Sequence, residues 1–343
     1  MQALLNTLFI TTEKGYATLD GENVVIKSED QELGRVPLHR LQGIVSFSYA
    51  GASPALMGAC ASRGIDLAFC SPRGRFLART SGFSKGNVLL RLAQYNWSQD
   101  EARSCQLARL LIFGKLSNCR RSLDRTRRDH AMRVDGDSFA AASDQLRDML
   151  PQVLEAQSLE TLRGLEGAGA TVYFGLLDAM ILQDKEHFFF HQRNRRPPLD
   201  RVNAALSFVY TLLASQCASA LEAAGLDSSV GFLHRVRPGR NSLALDLLEE
   251  LRPCLADRFV LTLINDRVLA PDDFISQENG AVLLNDEGRR KVLSQWQKRK
   301  QAEIVHPFLR EKVPWGLVPH LQALLLARFL RGDLEDYPPF LWR

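Results

Sequence analysis

The stretch YATLDGENVVIKS (16–28) decides the fold of the amino-terminal part of the chain. Two runs with an extended pattern flank Asp20-Gly21, and an Asp-Gly pair in that position is a strong signal for a two-residue hairpin turn. Outward from this hairpin, further segments with an extended pattern occupy residues 4–12, 35–39, 43–49, 65–71 and 75–81. A Pro-Arg-Gly turn joins the last two segments into a second predicted hairpin.

One short helix is predicted among these strands. Ser53 is a favourable N-cap and Pro54 fits the first helical position, while Gly64 ends the segment. Residues 1–86 are therefore expected to form a small β-rich domain that carries one helix.

From Asn87 onward the apolar residues recur at helical spacing. Helices are predicted around residues 88–95, 100–131, 137–157, 159–181, 201–225, 242–256, 281–301 and 316–331. Between them, the loop HQRNRRPPLD (191–200) must be non-helical because of its two prolines. The expected fold class is α+β, with a small N-terminal β-rich domain (1–86) followed by a larger all-α C-terminal domain (87–343).

Composition indicates an ordinary globular protein, which we expect in the cytoplasm. The chain has 343 residues, of which 45% are hydrophobic and 24% charged. Its six cysteines form no Cys-x-x-Cys pair, so a zinc site is not expected and the thiols should be reduced. No apolar run is expected to approach the roughly 18 residues of a membrane span, and no secretion signal is apparent.

The positive charges are distributed unevenly, although the net charge is only +4. Four clusters comprise Arg103, Arg109, Lys115, Arg120, Arg121, Arg125, Arg127 and Arg128; Arg193, Arg195, Arg196 and Arg201; Arg235, Arg237 and Arg240; and Arg289, Arg290, Lys291, Lys298, Arg299 and Lys300. Such clusters are typical of phosphate binding, although any one of them equally fits a solvated helix face.

Glu166 lies on the apolar face of the predicted helix 159–181. A lone ionised carboxylate in that position costs several kcal/mol unless it is paired or bound to a metal. The neighbouring glycines and alanines would leave space for a ligand. The alternative is a structural ion pair with an arginine such as Arg163 or Arg201.

A second acidic group lies on the predicted helix 242–256. Asp246 and Glu249 are three residues apart and project to one side, and Glu250 is a rival for the role of Glu249. The alternative is a solvated acidic face, but five leucines leave little of this helix for water. His234 precedes a basic loop and fits a metal ligand, a general acid or a core histidine.

Carboxylates with one imidazole suit Mg²⁺ or Mn²⁺, and such an ion typically polarises a phosphodiester. The arginine clusters indicate that the phosphate belongs to nucleic acid. The chain has no P-loop, no GxGxxG fingerprint and no Ser-His-Asp arrangement.

Motifs spread in order over nearly the whole chain resemble one known family. They are LNTLFIT (5–11), VPLHRLQGIV (36–45), SPALMGACASRGI (53–65), GRFLAR (74–79), GNVLLRLAQY (86–95), LEG (165–167), RRPPLDRVNAALSFVYTLL (195–213), GLDSSVGFLH (225–234) and SLALDLLEELRP (242–253). With them the chain resembles the CRISPR-associated adaptation integrase, the Cas-one family. The sequence YPPF (337–340) is similar to the subtype I-C branch.

The resemblance implies a β domain followed by a helical domain with the metal site. It also implies a homodimer, two of which are bridged by a dimer of the small Cas-two partner, and the insertion of short duplex DNA into the CRISPR array. The family's metal ligands fall on Glu166, His234 and Glu249, and its accompanying acidic residue falls on Asp246. These four residues are the predicted catalytic set.

The expected reaction is transesterification at a Mn²⁺ or Mg²⁺ centre, with the 3′-hydroxyl of incoming DNA as nucleophile and nuclease activity when water replaces it. The predicted contacts to DNA are Arg193, Arg195, Arg196, Arg235, Arg237 and Arg240. The rival functions are a nuclease without integration, a non-catalytic DNA-binding scaffold and a hydrolase of small phosphate esters.

Overall fold

The computed structural model describes residues 7–12, 14–29, 31–41, 43–72, 76–80 and 88–342. Several predicted features fall outside these residues: the start of the first strand (4–6), most of the Pro-Arg-Gly turn (73–74), the two ends of the segment 75–81, and Asn87, where the helical pattern begins.

Two small sheets form the amino-terminal part. Their strands are β1 (Thr7–Ile10), β2 (Tyr16–Asp20), β3 (Asn23–Ser28), β4 (Gln31–Pro37), β5 (Gly43–Ser46), β6 (Asp66–Cys70) and β7 (Phe76–Arg79). β2, β3 and β4 form an antiparallel meander, and Asp20 pairs with Asn23 across the predicted Asp-Gly turn. The other sheet has the order β1-β5-β6-β7, in which the first two pairings are parallel and the last is antiparallel.

The predicted helix lies between β5 and β6 as α1 (Pro54–Arg63). The Ser53 hydroxyl accepts the backbone N–H of Leu56, and Gly64 ends the helix with φ of 68°, a conformation that favours glycine. A helix is the usual connection between parallel neighbouring strands, so these local signals also explain the parallel pairing of β5 and β6.

The carboxyl-terminal part is mainly helical. Its helices are α2 (Val88–Gln99), α3 (Glu101–Asp129), α4 (Gly136–Glu155), α5 (Leu159–Gly175), α6 (Arg201–Ala223), α7 (Ser242–Leu251), α8 (Arg258–Asn265), α9 (Asp286–Gln301) and α10 (Val318–Arg331). A π-helical turn, Arg252–Asp257, joins α7 to α8. The α+β class is confirmed.

Two short hairpins correct the expectation of an all-α carboxyl-terminal part. β8 (Phe274–Ser276) pairs with β9 (Val282–Leu284), and β10 (Glu303–Val305) pairs with β11 (Lys312–Pro314). Strands of three residues are too short to display an alternating pattern, so the sequence did not reveal them.

Apolar packing separates into two cores. One lies within the β-rich part and includes Leu38, Ile44 and Leu67. The other spans the helices, and Phe47 from the β-rich part reaches it and stacks on Phe208 of α6 with the ring centroids 6.1 Å apart. The domain boundary between residues 86 and 87 stays a prediction.

Helix α6 also corrects the expectation about apolar runs. Over Arg201–Ala223 it is long and apolar enough to cross a membrane by length and composition, because its charged residues lie near its ends. In the structure 67% of its apolar window is buried inside the protein, which is the environment of a core helix.

Close packing of α3 against α5 depends on a glycine. A Cβ atom on Gly169 would lie 2.4 Å from Cδ2 of Leu116, which is itself fully buried. The space beside this glycine is therefore filled by a leucine and is not available to a ligand, contrary to the expectation from the sequence. A Cβ atom on Gly164 of the same helix would have no described atom within 4 Å apart from those of its chain neighbours and the backbone of α5.

We predict opposite effects for alanine at these two glycines. Gly169→Ala should lower the free energy of unfolding by about 1–3 kcal/mol because the buried Leu116 cannot move aside freely. Gly164→Ala should raise it by up to about 1 kcal/mol because alanine favours helix. Urea denaturation of both variants measures these changes, and equal effects would show that α3 and α5 do not pack closely.

Candidate active site

The three residues predicted as metal ligands line one open cleft. Glu166 projects from α5, Glu249 from α7, and His234 from the loop before α7. The cleft has a volume of about 430 Å³, and its lining residues are Arg163, Glu166, Leu233, His234, Arg235, Arg237, Arg240 and Glu249. The fold thus brings together groups that are 83 positions apart at the extremes, from Glu166 to Glu249.

Asp246 lies behind His234 and fixes its orientation. Its Oδ1 lies 2.7 Å from His234 Nδ1 and accepts the backbone N–H of the same residue, while Oδ2 accepts the N–H groups of Phe232 and Leu233. Asp246 is fully buried. A carboxylate only accepts hydrogen bonds, so in the neutral imidazole the hydrogen resides on Nδ1 and the lone pair on Nε2.

This geometry gives Asp246 a positioning role and no contact with the cleft. Both of its oxygens are already engaged by backbone and imidazole donors. The bound loop also needs Gly231, because a Cβ atom there would lie 2.8 Å from Asp246 Oδ2. His234 Nε2 faces the cleft and lies 4.0 Å from Glu249 Oε1.

Lys115 of α3 is the residue that sequence reasoning missed. Its ammonium contacts Glu166 Oε1 and lies 2.7 Å from Glu249 Oε2, so it stands between the two carboxylates. The arginines considered as partners of Glu166 are engaged elsewhere: Arg163 donates to the carbonyl of Leu233, and Arg201 to that of His187. In the sequence Lys115 was only one of the eight residues of the basic cluster on this helix, and nothing local marked it as a partner of the two glutamates.

Arg252 gives Glu249 a second cationic partner. Its Nη2 lies 3.2 Å from Glu249 Oε1, and its guanidinium lies 4.9 Å from the ring centroid of Tyr210. Burial works to raise the pKa of Glu249, but Arg252, Lys115 and His234 outweigh it and lower the pKa to about 2. Glu249 is therefore ionised at every physiological pH, as a metal ligand must be.

The donor set fits a divalent cation by its chemistry. Two carboxylates and an imidazole with a free Nε2 face one cleft, and Glu249 Oε2 is buried without a well-oriented hydrogen bond. Among the residues that the structure describes, no three His, Cys, Asp or Glu side chains converge closely enough to hold an ion as they stand. The ammonium of Lys115 occupies the space between the two carboxylates.

Glu250 does not compete for this role. Its side chain points away from the cleft and accepts hydrogen bonds from Gln322, from the Tyr337 hydroxyl and from the backbone N–H of Phe340. Burial raises the pKa of Glu250 to about 7 against these donors. Its function is to hold the carboxyl-terminal segment.

The predicted DNA-binding arginines divide into two groups. Arg193 is partly buried, donates to Asn203 and Ser207 and lies over the Tyr210 ring, so its donors are engaged within the protein and its assignment as a DNA contact stays a prediction. The others lie on the surface or at its edge, with no ion pair to any carboxylate that the structure describes: Arg195, Arg196, Arg235, Arg237 and Arg240.

These remaining arginines form one electropositive rim beside the cleft, which we call the arginine rim. Burial lowers the pKa of Arg240, and Arg237, Arg195 and Arg196 lower it further. Mutual repulsion of this kind shows that loop 191–200 lies close to loop 235–240. A concentration of unpaired positive charge is the electrostatic signature of an anion-binding surface.

The helical basic clusters are mostly neutralised by their own neighbours. On α3, Arg125 and Arg128 pair with Asp129, and on α9, Arg290 pairs with Glu287. For these residues the solvated helix face is the better account.

A family model described as "CRISPR associated protein Cas1" matches residues 8–298, which is most of the chain. The chain belongs to the Cas1 family. It is 47% identical to a protein of Chlorobaculum tepidum named CRISPR-associated endonuclease Cas1 1, over 343 residues that cover 100% of both chains.

Two solved structures share the Cas1 fold with this chain. One is a casposase bound to integration product, with a TM-score of 0.84 and 23% identity over 99% of this chain and 95% of that one. The other is a Cas6-RT-Cas1–Cas2 complex, with a TM-score of 0.80 and 21% identity over 100% of this chain and 36% of that chain. At these identities the similarity shows the fold alone.

We predict that Asp246→Asn weakens metal binding about 10–100-fold. An asparagine that keeps its oxygen toward Phe232 turns its NH₂ group toward His234, which moves the imidazole hydrogen to Nε2 and removes the lone pair from the cleft. Titration calorimetry with Mn²⁺ measures the loss. Asp184→Asn is the matched control, because Asp184 lies 2.7 Å from His187 in an exposed pair outside the cleft. Unchanged affinity in Asp246→Asn would refute the positioning role.

Proposed function

We propose that this Cas1-family chain is a metal-dependent DNA integrase of CRISPR adaptation. It inserts short duplex DNA into the CRISPR array by transesterification, and with water as nucleophile the same site acts as a DNA endonuclease. The observation that carries the proposal is that Glu166, His234 and Glu249 line one cleft beside the arginine rim. The relative named as an endonuclease supports this choice of chemistry.

Glu166, His234 and Glu249 would hold the divalent cation, Mn²⁺ or Mg²⁺. When bound, the ion would polarise the scissile phosphate and stabilise the leaving 3′-oxygen. Asp246 keeps the lone pair of His234 directed at the cleft, and Arg252 holds Glu249 in place through an ion pair. Arg235 and Arg237 lie at the mouth of the cleft, where they would fix the position of DNA phosphates without reading sequence.

The partners that we propose follow from the family. They are double-stranded DNA, a second copy of this chain, and the small Cas2 protein, which is also named in the solved Cas1–Cas2 complex of the same fold. We also assign the chain to subtype I-C, on the sequence YPPF (337–340), and to the cytoplasm, where a CRISPR array is found. The structure gives this segment a structural use, because Tyr337 and Phe340 hold Glu250.

An integration assay tests the function. Duplex DNA with 3′-hydroxyl ends is incubated with a supercoiled plasmid that carries a CRISPR array, with Mn²⁺ or EDTA, in the presence and absence of Cas2. We expect covalent joining that requires Mn²⁺ and free 3′ ends and that His234→Ala abolishes. His187→Ala should retain full activity, because His187 pairs with an aspartate at the same distance but lies outside the cleft.

The other outcomes separate the rival functions. Metal-dependent cleavage without joining, even with Cas2 present, would identify a nuclease that only degrades DNA. DNA binding without any metal-dependent chemistry, unchanged in His234→Ala, would identify a scaffold.

We predict that the double variant Arg195→Gln, Arg196→Gln weakens binding of duplex DNA about equally for all sequences. The slope of log affinity against log salt concentration should fall in magnitude by about 2. The reason is that binding releases about 0.9 fewer counterions for each phosphate contact that is lost, and two contacts are lost here. The matched control is Arg128→Gln, Arg290→Gln, which removes two exposed arginines that are paired with acidic neighbours. Equal slopes for the two double variants would exclude the arginine rim as the DNA surface.

A further inference from the structure

The position of Lys115 is the feature of the cleft that the proposed reaction does not use. Its side chain is only 7% exposed, and its ammonium lies between Glu166 and Glu249, the two carboxylates assigned to the metal. The ammonium is therefore a positive charge in the place where the metal ion is expected.

Lys115 and Arg252 differ in how firmly the protein holds them. The Arg252 guanidinium is fixed by the Tyr210 ring as well as by Glu249 Oε1. The Lys115 ammonium has only the two glutamates as acceptors among the residues that the structure describes. Lysine is also a flexible chain that ends in a point charge, whereas arginine is a rigid planar group. Of the two cations, Lys115 is the one that can be displaced.

The two cations also contact different oxygens of Glu249. Arg252 lies on Oε1, whereas Lys115 lies on Oε2, which makes no well-oriented hydrogen bond. A metal could thus replace the ammonium at Oε2 and at Glu166 while Arg252 stays in place.

We propose that Lys115 is a built-in counter-ion of the metal centre, which competes with the divalent cation for Glu166 and Glu249. This inference rests on the proposed function, because it takes these glutamates as the metal ligands. In the metal-free protein the ammonium neutralises two carboxylates that would otherwise repel each other. Metal binding requires the ammonium to leave them. Lys115 therefore stabilises the empty site and weakens its affinity for metal.

Removal of the charge tests this competition in the full-length chain stripped of metal with EDTA. Lys115→Met should bind Mn²⁺ roughly tenfold more tightly or better by titration calorimetry, because a positive charge in contact with both ligands is gone. Its melting temperature without metal should fall by several degrees, and the rise on adding Mn²⁺ should exceed that of the wild type. Lys115→Gln, which keeps hydrogen-bond donors without the charge, should also bind Mn²⁺ more tightly. This variant tests the proposal even where the methionine variant does not fold.

Lys300→Met is the matched control. Lys300 is also a buried lysine on a helix but does not line the cleft, so its loss should leave Mn²⁺ affinity unchanged. Equal or weaker Mn²⁺ binding by folded Lys115→Met and Lys115→Gln, with binding by the wild type intact, would overturn the counter-ion proposal alone. Failure of wild type and variants alike to bind Mn²⁺ would overturn the metal centre as well.

Discussion

The buried charge of Glu249 is the constraint on which the rest of the site depends. Only 5% of this side chain is exposed, and an ionised carboxylate in such a place costs several kcal/mol unless cations compensate it. Arg252 follows it on the same helical stretch, but Lys115 comes from α3 and reaches on to Glu166 of α5. The ion pairs therefore join three helices, and the approach of α3 to α5 that they require is possible because Gly169 leaves room for Leu116.

The three neighbouring carboxylates of α7 have different functions. Asp246 binds the loop that carries His234, Glu249 faces the cleft, and Glu250 holds the carboxyl-terminal segment. The division follows from helical geometry. Asp246 is three positions from Glu249 and four from Glu250, so the three side chains lie on neighbouring parts of the helix surface, but each one meets different residues of the surrounding structure. The pKa of Glu249 is lowered by cations, whereas that of Glu250, which has only neutral donors, is raised. Charge at the cleft is thus set by the surroundings of each group.

The sequence correctly predicted the structural elements that depend on residues close together in the chain. The hairpin at Asp20-Gly21, the caps of α1 at Ser53 and Gly64, and the helical period of the carboxyl-terminal part are all confirmed. Resemblance to the family singled out Glu166, His234 and Glu249, which the fold places in one cleft, although their role as ligands stays a prediction. Lys115 could not be found in this way, because its partners lie 51 and 134 positions along the chain and nothing local marks the pairing.

The arginines show that local charge balance, rather than the number of basic residues, distinguishes a binding surface from a solvated helix. On α3 and α9, acidic residues occur one to four positions from the arginines and pair with them, as Asp129 and Glu287 do. The segments HQRNRR (191–196) and HRVRPGR (234–240) contain no acidic residue at all, and both lie in loops where helical pairing is impossible. Arg193 leaves this group only because Asn203 and Ser207 of α6 bind it. Unlike most arginines of the helical clusters, the arginine rim thus has no ion pair to any carboxylate that the structure describes, and it adjoins the cleft that Glu166 and Glu249 line.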